Sequence, residues 1–123
     1  MRLILKVIIL FFSSVVPVLS DIGDFAFDSI DGGTIDIREF EGKAVLITNT
    51  ASRCGFTSQY SELEKLHQAY KDKGLIVIAV PSDDFNQELS SNSKVKELCN
   101  ASFGLTLPMT VVTSIRGREA HPF

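Results

Sequence analysis

The sequence predicts an α/β domain organised around a right-handed βαβ unit with a parallel sheet, and three features carry that expectation. Residues 44–49 and 75–80 are aliphatic runs without alternation, as strands covered on both faces should be. Between them, Tyr60, Leu63, Leu66, His67 and Tyr70 recur at helical spacing. A strand, a helix and a strand joined by short connections favour parallel pairing with a right-handed crossover.

Residues 1–20 read as an export signal. Arg2 and Lys6 make a basic start, residues 7–16 are apolar but for Ser13 and Ser14, and Val18-Leu19-Ser20 offers a cleavage site. Cleavage near Ser20 leaves a chain that begins at Asp21 and is exported, whether secreted, periplasmic or held in a secretory pathway. A membrane anchor is the alternative, but a span needs about 20 nearly unbroken apolar residues. Lys6, Ser13, Ser14 and Pro17 interrupt the run, so no stable membrane association is expected.

Next, Phe25 and Phe27 alternate with Asp24, Ala26 and Asp28, Asp31-Gly32-Gly33 supplies a turn, and Ile35 and Ile37 alternate with Thr34, Asp36 and Arg38. That is the pattern of a β-hairpin with one apolar face. The central helix is expected over residues 58–73, with Thr57 or Ser58 as its cap and Gly74 as its stop. A second helix is expected from Asn92 or Ser93 to Phe103, with Val95, Leu98, Cys99 and Phe103 on its apolar side. Residues 105–113 read as a further strand interrupted by Pro108, which lacks the N–H for a ladder bond. An edge, the start of a strand or a cis turn would each accommodate it.

The 123 residues include 12 Lys and Arg against 15 Asp and Glu. Arg2 and Lys6 leave with the signal, so residues 21–123 carry ten basic and fifteen acidic side chains, a formal charge of −5. Such a balance excludes nucleic-acid binding driven by charge. One domain of that length can bury a usable core, and no repeat or linker divides it.

Chemistry gathers beyond the carboxyl ends of the strands in open α/β sheets, so the loops after Asn49 and Val80 should face each other. Cys54 lies in the first of these loops, ahead of a helix whose N-terminal N–H groups would favour the nucleophilic thiolate. The loop of residues 81–91 is then its neighbour.

Four ordered motifs add to this reading: Asn49-Thr50-Ala51-Ser52-Arg53-Cys54-Gly55-Phe56-Thr57, Pro81-Ser82-Asp83-Asp84-Phe85-Asn86-Gln87-Glu88, Phe103-Gly104-Leu105-Thr106-Leu107-Pro108-Met109 and Ala120-His121-Pro122-Phe123. Together they resemble the glutathione peroxidase family over essentially all of residues 21–123. The resemblance implies a thioredoxin-like, glutathione peroxidase-type sandwich with an N-terminal β-hairpin. It implies reduction of hydrogen peroxide or organic hydroperoxides, with Cys54 as the peroxidatic cysteine, Gln87 as the active-site glutamine and Cys99 as the resolving cysteine. Glutathione or thioredoxin would be the reductant, and the cysteine at position 54 favours the thioredoxin-type cycle. No metal or nucleotide cofactor is implied.

Departures accompany the match. The second motif is one residue short, Asn86 stands where paired small residues are usual, and Leu89-Ser90 replaces a usual Pro-Gly. The sequence contains no tryptophan, so the family's Trp-Asn pair is missing. Residues 21–123 therefore read as an incomplete domain without the final strand and helix, and a non-catalytic binding or redox-sensing remnant is the competing expectation.

Blander roles stand beside these. On the apolar side of a helix, Cys99 can be a small hydrophobe, and in an oxidising compartment a static Cys54–Cys99 disulfide is a further alternative. His67 reads as the inner face of its helix, and Asp83-Asp84 as a solvated loop. Neither His67 nor His121 has partners at metal-ligand spacing. Asn100-Ala101-Ser102 satisfies the N-glycosylation sequon, which matters only in a eukaryotic secretory route.

Overall fold

The structure is a computed structural model that describes residues 23–123. The export signal expected over residues 1–20 lies outside the described residues. Strands β1 (Ala26–Asp28) and β2 (Thr34–Asp36) form the expected hairpin, with Phe27 opposite Ile35. Gly32 and Gly33 close it at φ 93° and 75°, angles that a side chain resists. Both Phe27 and Ile35 are buried, as the alternation requires.

Strands β3 (Ala44–Thr50) and β4 (Leu75–Pro81) pair in parallel, Ala44 opposite Leu75 through to Thr50 opposite Pro81. Coverage on both faces was expected for both strands and holds for β4 alone. From Ile76 to Pro81 every residue of β4 is buried, whereas β3 is mostly half-buried or exposed and Leu46 keeps 37% of its surface. The reason is position: among the described residues β3 pairs with β4 on one edge only.

Helix α1 (Gln59–Tyr70) starts and ends inside its expected bounds. Ser58 is helical in backbone and makes no side-chain cap bond, so the expected capping role falls away. Tight turns lead into the helix instead, through Thr57 N–H to Cys54 O, Gln59 N–H to Phe56 O and Tyr60 N–H to Thr57 O. At the other end residues Lys71–Lys73 tighten into a 3₁₀ turn, and Gly74 stops the chain at φ 92°. Helix α2 (Asn92–Phe103) is capped by Ser91, whose Oγ accepts the Lys94 N–H, and is stopped by Gly104 in the left-handed region.

The strand expected over residues 105–113 is reduced to two isolated bridges, Met109 with Ala79 and Thr110 with Ser29. The Pro108 carbonyl accepts the Ala79 N–H at 2.9 Å and the Ala79 carbonyl accepts the Thr110 N–H at 3.0 Å. On its other side this segment bonds the hairpin, Val111 N–H to Asp28 O and Ile30 N–H to Met109 O. Bonded to β4 on one side and to the hairpin on the other, it links the two sheets through isolated bridges. The bond before Pro108 is trans, and the proline sits where the chain enters the bridge.

Side chains of β4 alternate between two cores. Val77 and Ala79 meet Tyr60 of α1, Val95 and Cys99 of α2, and Leu105. Ile76, Ile78 and Val80 meet Phe27 and Ile35 from the hairpin and Ile37 from the 3₁₀ turn of Ile37–Phe40, where the expected alternation ends as Asp36 caps that turn. Polar groups tie the layers. Glu64 on α1 accepts the N–H groups of Thr106 and Leu107, and the ring nitrogen Nδ1 of His67 accepts the Val77 N–H at 3.4 Å.

The asymmetry of the sheet is measurable by urea unfolding. Ile78→Ala, in fully buried β4, should cost about 2–5 kcal/mol. Leu46→Ala on β3 should cost roughly half of that or less, because much of its side chain is already in water.

Candidate active site

The in-register end of the β3/β4 pair sets two loops side by side. Thr50 O accepts the Ser82 N–H at 2.9 Å, which carries the register one residue past the strands. Two cross-loop bonds follow: Gln87 O accepts the Arg53 N–H at 2.8 Å, and Glu88 Oε1 accepts the Ser52 N–H at 3.0 Å. The expected adjacency of Cys54 and the loop after Val80 is therefore built from one backbone bond and one carboxylate bond.

Cys54 is a half-buried free thiol in the turn ahead of α1. It stands five residues before the helix begins, so the N–H that reaches it belongs to the turn and not to α1. The Phe56 N–H donates to Cys54 Sγ at 3.4 Å, a bond that strengthens when the sulfur carries charge. Carbonyl Cys54 O accepts from both the N–H and the hydroxyl of Thr57, which fixes the turn.

Gln87 reaches the same place by a strained route. Asn86 adopts φ 56°, and its N–H closes a turn onto Asp83 O at 2.8 Å. Asparagine is among the few side chains that tolerate this conformation. Cys54, Gln87, Asn49, Tyr60, Phe56 and Phe85 line a cavity of about 90 Å3. One water needs only about 10–15 Å3 on the same measure, so there is room for a peroxide group beside the sulfur. Phe56 and Phe85 are exposed at its rim.

Cys99 lies elsewhere. It is 2% exposed on α2, packed in the core with Tyr60, Val95 and Leu105, and does not line the cavity. Burial, aided by the charge of Glu88, pushes its thiol up to about 11. Tyr60 belongs to both places, lining the cavity with Cys54 and the core with Cys99. The structure thus brings Cys54 and Gln87 together and keeps Cys99 behind the tyrosine ring.

Two acids, Asp84 and Glu88, organise the loops. Asp84, expected in a solvated loop, accepts the N–H groups of Ile115 and Arg116 and the Ser114 hydroxyl. The Ile115 N–H is the chief cause holding its carboxyl below the usual carboxylate range. Glu88 is 4% exposed and joins the cysteine loop to its own. Its only sequence signal is an acid beside Gln87 with no basic neighbour. His121 serves the hairpin: Nε2 donates to Ala26 O at 2.9 Å, and the ring stacks on Phe27. Among the described residues no group of three His, Cys, Asp or Glu side chains could hold a metal ion, and no helix is long and apolar enough to cross a membrane.

Residues 22–123 match the family profile described as glutathione peroxidase. The chain belongs to the glutathione peroxidase family. A glutathione peroxidase of Lactococcus lactis is 40% identical over 100 residues, covering 80% of this chain and 64% of the relative. A hydroperoxy fatty acid reductase of Synechocystis is 38% identical over 99 residues, covering 80% and 59%. The chain therefore spans about three fifths of the length of these family members. The crystal structure of a thioredoxin-family thiol:disulfide interchange protein from Chlorobium tepidum superposes with a TM-score of 0.61, covering 72% of this chain and 57% of that one. At 17% identity it shows the fold alone, which is thioredoxin-like.

Acid and base should both weaken the domain. Desolvation holds the His67 imidazole below its ordinary value, so the unfolded chain takes up that proton first and stability falls as pH drops below about 6.5. Desolvation raises Glu64, but the Thr106 hydroxyl and the N–H donors outweigh it and hold the carboxyl low, as the loop donors do for Asp84. Their contribution is complete above about 4 and is lost below it. For Cys99 the sign reverses: its raised value costs stability once the unfolded thiol ionises, above about 8.5. Thermal midpoints should thus peak near neutrality, and His67→Gln should remove the decline that begins near pH 6.5.

Proposed function

We propose that this chain is a thiol peroxidase that reduces hydrogen peroxide or organic hydroperoxides at Cys54. The observation that carries the reading is the Cys54 sulfur itself: half-buried, bonded by the Phe56 N–H, and lining a peroxide-sized cavity with Gln87 at the joint ends of two parallel strands. Family membership and the names of the two relatives support the same chemistry.

In the first step the Cys54 thiolate attacks the outer peroxide oxygen. The S–O bond forms as the O–O bond breaks, the sulfur is oxidised by two electrons, and the departing oxygen takes a proton to leave as water or an alcohol. In this reading the Gln87 amide donates a hydrogen bond where negative charge develops. The product is a sulfenic acid, reversible only if a second thiol condenses with it and expels water.

Cys99 is the resolving thiol in this proposal, and the disulfide it forms is then reduced by thioredoxin. Because Cys99 is buried and protonated, α2 must open locally before the two sulfurs can reach bonding distance. Glutathione attacking the sulfenic acid directly is the route that needs no such opening. Cleavage near Ser20 and export complete the reading, which places the activity in the response to oxidative stress outside the cytoplasm.

Intact mass after one equivalent of hydrogen peroxide tests the assignment. The wild-type chain should lose two hydrogens, Cys99→Ser should stop one oxygen heavier, and Cys54→Ser should be unchanged. A Cys54 that reacts no faster than free cysteine would leave the chain a binding or redox-sensing module instead. N-terminal sequencing of the exported protein should begin at Asp21.

A further inference from the structure

We infer that Glu88 is the positioning residue of the candidate site: through its buried carboxylate it holds the Cys54 turn at a fixed separation from Gln87. The inference rests on the peroxidase reading for its consequence in rate and on geometry for the clamp itself.

The carboxylate is 4% exposed, and a buried ionisable side chain at a loop requires compensation. One oxygen, Oε1, accepts the Ser52 N–H at 3.0 Å and the Leu89 N–H at 2.7 Å. Its own backbone N–H donates to Asp83 Oδ1 at 3.0 Å, so the residue is tied to both ends of its loop and to the loop opposite. The Ser52 bond lies next to the Arg53 N–H to Gln87 O bond. These two bonds join residues 52 and 53, immediately before the nucleophile, to residues 87 and 88. They are the cross-links that set the Cys54 to Gln87 spacing across the cavity.

The second oxygen, Oε2, has no hydrogen-bond partner among the described residues, and neither does the buried hydroxyl of Ser52. Leaving polar atoms buried and unmatched is costly, typically about 1–3 kcal/mol for each. A residue chosen only for packing would avoid that cost with an aliphatic side chain. The carboxylate retained here supplies what an aliphatic group lacks, an acceptor for the Ser52 N–H. Had the sole role been to fill space, methionine would serve as well; had it been charge, glutamine would fail.

That contrast defines the test. Glu88→Met keeps the volume and removes the acceptor, whereas Glu88→Gln removes the charge and keeps an amide oxygen that accepts the Ser52 N–H. The rate constant of Cys54 oxidation by hydrogen peroxide should fall at least tenfold in Glu88→Met and return to within about threefold of wild type in Glu88→Gln. Equal rates in Glu88→Met and wild type would overturn the inference, as would a Glu88→Gln chain as slow as Glu88→Met.

A third measurement needs neither peroxide turnover nor a folded Glu88→Met protein. In the wild-type chain the Ser52 amide proton should exchange with solvent at least tenfold more slowly than in an unstructured peptide, and unprotected exchange at Ser52 would refute the clamp. A protected Ser52 in a chain that does not react with peroxide would instead refute the peroxidase reading and leave the clamp standing.

Discussion

From Ala44 opposite Leu75 to Thr50 opposite Pro81, β3 and β4 pair without a shift, and the buried side chains of β4 prevent them from slipping. A slip of one residue would send Val77 and Ala79 to the hairpin core and Ile76, Ile78 and Val80 to the helical core, exchanging two incompatible sets of volumes. Both strands therefore end level. The turn that carries Cys54 and the loop that carries Gln87 begin at one height, and the Ser82 N–H to Thr50 O bond extends that alignment past the sheet.

Beyond the strands, apolar burial gives way to carboxylates that gather backbone N–H groups. Glu64 ties α1 to residues 106 and 107, Asp84 ties the site loop to residues 114–116, and Glu88 ties it to the cysteine turn. Irregular segments cannot satisfy their backbone groups in a ladder, so side-chain acceptors take over where the chain must be held in a non-repeating shape. Asn86 adds a left-handed backbone to the same loop, a conformation that asparagine tolerates.

What was legible in the sequence follows from what periodicity records. Alternation at Phe27 and Ile35 located the hairpin, and the spacing of Tyr60, Leu63 and His67 located α1, because each side chain repeats the face that it presents. The proximity of Cys54 and Gln87 followed from a topological rule about strand ends. Coverage of β3 was not legible, since an aliphatic run shows that a strand can be buried but not what lies beside it. Nor were the roles of Asp84 and Glu88. A carboxylate that binds backbone N–H groups some 30 residues away leaves no pattern, because every residue but proline offers the same donor. Nor did the side chains of residues 105–113 show that pairing there would shrink to two isolated bridges.

If Cys99 resolves Cys54 as proposed, its seclusion makes temperature part of the cycle. Its sulfur sits in the last turns of α2, among Asn100, Ala101, Ser102 and Phe103, a stretch of mostly indifferent helix formers held by packing, including the edge of the Phe103 ring against Tyr60. Opening that turn breaks several contacts at once, so its rate rises steeply on warming, as unfolding rates do. On the proposed cycle, attack at Cys54 needs no such opening, so in the cold an oxidised Cys54 would wait far longer for Cys99 than the slowing of the sulfur chemistry alone would require.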